Sequence, residues 1–191
     1  MHNKKVLIRV HGQGVYDTEH VATFLERFSA AYKSLSTLDT RMKMLTESGY
    51  KINLAQLNIT GHAPEHYLEI IGVEFHSPGF WEFLGKLNPL EVLRQYLNDR
   101  HERKKDEDYR NTLEKEKLGI ENDILKLEFT RQVIEVARQT GHSEEEIRSI
   151  VRDQIVIPLI SLDALSEKGM VTYVEIPEDE KELEFEVESE T

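Results

Sequence analysis

The chain has 191 residues, 39% of them apolar and 31% charged, with a net charge of −12. This composition fits a small core carrying solvated helices, and the negative charge works against nucleic-acid binding by simple electrostatics. With no cysteine there is no disulfide, thiolate nucleophile or thiolate metal site, which suits a reducing compartment, and the expected location is cytoplasmic. Neither a signal peptide nor a membrane span is visible: Met1–Lys5 is polar, and the longest apolar run, Ile155–Ile160, is too short to cross a bilayer.

Lys4–His11 alternates, with Val6, Ile8 and Val10 on one face, and predicts a strand closed by Gly12 and Gly14. Asp17 or Thr18 can cap the helix that follows. Its stripe, Val21, Phe24, Leu25, Phe28, Ala31, Tyr32 and Leu35, recurs every three or four residues and should pack on a sheet. Ser36–Tyr50 reads ambiguously, with a short helix around Met42 and Leu45.

Tyr50–Thr60 alternates with a phase change and predicts a strand or two, then Gly61–Pro64 turns the chain. Tyr67–His76 is the next strand. Ile71, Val73 and Phe75 lie on one face and Leu68 and Ile70 on the other, a pattern that implies a central position. The order β-α-β-β describes an α+β head over residues 1–79, a small sheet with one packed helix. After the Ser77-Pro78-Gly79 corner, Phe80, Trp81, Phe83, Leu84 and Leu87 predict a short aromatic helix. It either buries Trp81 against the sheet or presents it to a partner.

Residues 80–141 form the expected helical arm or hairpin, with Asn88 and Pro89 starting a helix edged by Leu90, Leu93, Tyr96 and Leu97. Asn98–Thr112 has no aliphatic side chain, and its five acidic residues balance five basic ones, so it reads as a solvated helix or a flexible joint. Leu113, Ile120, Ile124, Leu127 and Ile134 then recur at near-heptad spacing, a coiled-coil segment interrupted by Lys117 and Arg131. Gly141 stops this helix, and Ser143 with Glu146 is a capping box for the next. Pro158 must kink or restart that helix, and Met170–Ile176 is a strand returning to the sheet, so residues 142–176 form a C-terminal helix and strand. Residues 177–191 are an acidic tail in which Leu183, Phe185 and Val187 alternate with glutamates.

Two short motifs carry possible chemistry. His62-Ala63-Pro64-Glu65-His66 has the H-x-x-E-H spacing of a zinc hydrolase, in which both imidazoles must leave one helix face. Gly61 and Pro64 oppose that helix, and a turn between strands explains the same letters. His11-Gly12-Gln13-Gly14 sits between strand and helix, where a small-ligand or phosphate site could form, but it lacks a third glycine and a P-loop lysine.

The expected function is a non-enzymatic protein–protein interaction or scaffolding module. It self-associates, most simply as a dimer, through Trp81, Leu113, Ile120, Ile124, Leu127 and Ile134, and also meets a protein partner of unknown identity. No catalytic residue, cofactor, nucleic acid or membrane is expected. The alternative is a metal-dependent hydrolase using His62, Glu65 and His66.

Overall fold

The computed structural model describes residues 5–13, 16–48, 67–107, 123–163 and 169–177. Strand β1 (Lys5–Gly12) is central in a four-stranded antiparallel sheet of order β2-β3-β1-β4, with β2 at Glu69–Glu74, β3 at Gly79–Lys86 and β4 at Tyr173–Glu175. Helix α1 (Thr18–Ser48) follows β1, and α2 (Leu87–Glu107) follows β3 without a loop. Among the described residues, and apart from the helices between α2 and β4, these elements follow one another in the order βαββαβ. Between α2 and β4 lies a helical block: a turn at 123–126, α3 (Glu128–Gln139), α4 (Glu144–Val151), a π-helix (Arg152–Val156) and a last turn, α5 (Ile157–Ile160). The α+β class is therefore as the sequence indicates.

Helix α1 is one unbroken element of 31 residues, about 46 Å long. The Asp17 carboxylate caps it by accepting the His20 amide at 2.7 Å. The stripe does not end at Leu35: Leu38, Met42 and Leu45 are also buried, and this burial resolves the ambiguous stretch as helix. Helical stability here comes from packing the apolar face rather than from intrinsic propensity.

The aromatic stretch after Gly79 is a strand, not the expected helix. All eight β3 residues pair with β1, from Gly79 opposite Gly12 to Lys86 opposite Lys5. Alternation sends Trp81 and Phe83 toward α1 and Glu82 to the other face. Aromatic residues suit that pleated surface, and the β1 ladder satisfies their backbone. The boundary expected at residue 79 therefore falls where a paired strand begins, and the head continues through Lys86. Gly85 is required by close approach. A Cβ there would stand 2.8 Å from the Tyr32 hydroxyl, and that hydroxyl accepts the Lys86 amide at 2.8 Å.

Helix α2 also corrects an expectation. Its Asn98 donates to the Val174 carbonyl and accepts the Val174 amide, both at 2.8 Å, closing the outer edge of β4. Arg100, read as part of a solvated stretch, is buried and bonds Asp163 at 3.1 Å, and the Tyr96 hydroxyl donates to the same carboxylate at 2.6 Å. The start of the supposed joint is thus helix, anchored to the end of the helical block.

In that block the Ser143–Glu146 capping box forms as expected, and Gly141 takes a positive φ of 82° at the end of α3. Pro158 takes its place after the π-helix, where its missing amide disturbs the regular hydrogen-bond ladder. One continuous core joins the sheet, α1, α2 and this block, with Ile8, Phe28, Leu93, Ile124, Val133 and Leu159 all in it.

Candidate interaction surface

Trp81 is buried, its ring 5.2 Å from Phe24 of α1 and edge-on to Phe75 at 5.1 Å. Phe24 and Phe28 meet Phe83 at 6.0 and 4.5 Å, so a compact aromatic group fastens α1 to β3. Ile124 is 1% exposed and Leu127 is also buried, both in the chain's own core, while Ile134 is partly covered against it. A seam between chains needs these side chains at the surface, and Trp81, Ile124 and Leu127 are not there. Leu113, Ile120, His62 and His66 lie outside the described residues.

Large apolar side chains reach the surface elsewhere. Tyr67, Ile70, Ile71, Val73 and Phe75 are exposed on and beside β2, Phe75 to 71%. Among the described residues β2 pairs on one side only, with β3, so its other backbone edge has no strand against it. Apolar residues on both faces imply a central strand; among the described residues β2 instead lies at the end of the sheet, and the strand expected over Tyr50–Thr60 lies outside them. Ile70 and Val73 stand opposite Phe83 and Trp81, on the face that α1 packs against. Helix α1 covers the β3 aromatics but leaves Ile70 and Val73 exposed. Ile71 falls where the register shifts between Ile70 and Gly72, and such a bulge re-aims side chains at a sheet edge. Alternation alone could not reveal this, because it reports apolarity and not which layer lies above.

Beyond Glu74 the chain turns tightly. The His76 ring donates from Nδ1 to the Pro78 carbonyl at 2.7 Å, and its other nitrogen meets Glu74. The carbonyl bond first, and the Glu74 charge second, push the His76 pKa above its ordinary value.

On the sheet face opposite α1, charged and polar side chains pair across strands beside the buried Leu7 and Leu84. Arg9 Nε donates to Glu82 at 2.8 Å, and the Arg9 guanidinium also lies 4.7 Å from the Phe80 ring centroid. His11 Nε2 meets Glu175 at 2.8 Å, and its ring stacks on Tyr173 at 6.0 Å. These carboxylates are engaged by Arg9 and His11 of the neighbouring strand, part-buried cross-strand pairs that satisfy this face. The Gly12 corner of the possible small-ligand site is occupied by protein. A Cβ at Gly12 would stand 2.4 Å from the Tyr16 hydroxyl and 2.7 Å from the Met170 carbonyl. Among the described residues no three His, Asp or Glu side chains gather as a metal-binding group, and no helix is long and apolar enough to cross a membrane.

Compared with protein-family models, curated proteins and solved structures, the chain matches none.

Proposed function

We propose that the chain is a non-enzymatic protein–protein interaction module that self-associates, and that β2 is its contact surface. The exposure of Tyr67, Ile70, Ile71, Val73 and Phe75 along a strand edge supports this reading. Exposed edges carry unspent backbone donors and acceptors, and contiguous apolar surface beside one marks an interaction site. Two copies related by a two-fold axis pair β2 with β2 antiparallel, each satisfying the other's edge in an isologous contact. Ile124 and Leu127, buried in the chain's own core, take no part in this contact.

Size-exclusion chromatography with light scattering tests the reading. The expected mass at micromolar concentration is that of a dimer, falling to a monomer in Ile71→Lys/Phe75→Lys. A strictly monomeric parent chain, or a dimer indifferent to those substitutions, refutes it.

A further inference from the structure

The helical block carries a second surface that the β2 edge does not explain. Between α3, α4 and the π-helix runs a groove of about 340 Å³ whose floor includes Ile134, Ile147, Val151 and Val156. Three guanidiniums, Arg138, Arg148 and Arg152, stand among its walls with one carboxylate, Glu144. Arg138 pairs with Glu144 at 3.0 Å and Arg152 with Asp153 at 2.9 Å, both exposed contacts of small worth. Arg148 makes no ion pair with a described residue, and each guanidinium keeps donors for a second carboxylate. In a chain of net charge −12, this is an apolar trough whose arginines outnumber the carboxylates paired with them by one.

The same chain contains the complementary sequence. Residues 178–190 hold eight carboxylates against the single Lys181, and Leu183, Phe185 and Val187 alternate with Glu182, Glu184, Glu186 and Glu188. Leu183 lies six residues beyond Pro177 and Val187 ten, a span of roughly 20 to 35 Å at full extension. We infer that the groove is a docking site for this acidic segment, Glu182–Glu188. The apolar side chains cover Leu125 and Ile134, the accessible apolar part of the lining, and the glutamates meet Arg148 and Arg152. Apolar burial supplies the attraction, and charge pairing selects this segment over a neutral one.

Because the chain has no cysteine, disulfide trapping in the full-length protein reports the contact cleanly. The groove pair is Leu125→Cys with Phe185→Cys. Leu125 lines the groove and is 42% exposed, so the substitution spares the core. The control pair is Tyr67→Cys with Phe185→Cys. Under mild oxidation the groove pair closes about tenfold faster than the control. Adding Arg148→Glu and Arg152→Glu slows it about three- to tenfold, which is what one or two exposed ion pairs supply. Equal rates for groove and control, or a groove rate unmoved by the charge reversals, overturns the inference.

Discussion

The Ser34 hydroxyl of α1 donates to the Gln154 carbonyl of the π-helix at 2.8 Å. In a regular α-helix that carbonyl would bond the amide of residue 158, but Pro158 has none. A residue 120 positions earlier thus provides the donor that the proline removes, and it joins the helical block to the helix on the sheet. Ser34→Ala should lower stability by about 1 kcal/mol, while Ser34→Thr keeps most of it. Chemical denaturation with a constant m-value checks this, and an unchanged midpoint would mean that water replaces Ser34 without loss.

Trp81 anchors the aromatic group rather than a partner. Its emission should be blue-shifted and shielded from iodide, and Trp81→Ala should cost about 3–5 kcal/mol. Emission near that of free tryptophan would contradict the burial found against Phe24.

Ile124→Asp separates a core role from a seam role. An unpaired carboxylate in this position loses the isoleucine's packing and leaves a buried charge, a loss of at least about 3 kcal/mol. The melting temperature should fall even at concentrations where no oligomer persists. Were Ile124 at a seam between chains, dilute protein would melt unchanged.

The partly buried Asp163 accepts from Tyr96 and Arg100, and the desolvated Tyr96 hydroxyl has a pKa pushed far up, with the Asp163 charge adding to the effect. Asp163→Ala takes a carboxylate away from the buried Arg100 guanidinium and should cost about 1–3 kcal/mol. Arg100→Met combined with Asp163→Leu should cost clearly less, because neither charge remains. A double variant as unstable as the single one would show that the polar network, not charge matching, secures α2.

Acid should destabilise the fold partly through Glu91. Its hydrogen bond from Arg94, at 2.6 Å, holds the carboxyl below the ordinary range. A depressed folded-state pKa stabilises the native state above the ordinary carboxylate range, and this is lost as pH falls through the folded value. Melting temperatures measured from neutral pH down to about pH 3 should fall less steeply in Glu91→Gln. Parallel curves would assign the acid sensitivity to other carboxylates.

Local physical chemistry in the chain by itself determined much of the architecture. The period of Val6, Ile8 and Val10 determined β1, and the stripe from Val21 to Leu35 determined the first half of α1. The Ser143–Glu146 pair and Gly141 determined where the helices of the block begin and end. Each of these signals is complete within a few residues, so no distant contact was needed to read it.

Tertiary structure decided the rest, because the deciding partners are far apart in sequence. Phe80–Leu84 has a composition compatible with helix or strand, and pairing with β1, some 70 residues earlier, made it β3. Ile124 and Leu127 carry the same spacing whether they face a second chain or their own core, and packing of the helical block chose the core. Ile70, Val73 and Phe75 look like interior residues in sequence. They are exposed because helix α1 covers Trp81 and Phe83 and stops short of Ile70 and Val73, and where a layer stops is a property of the packed elements together.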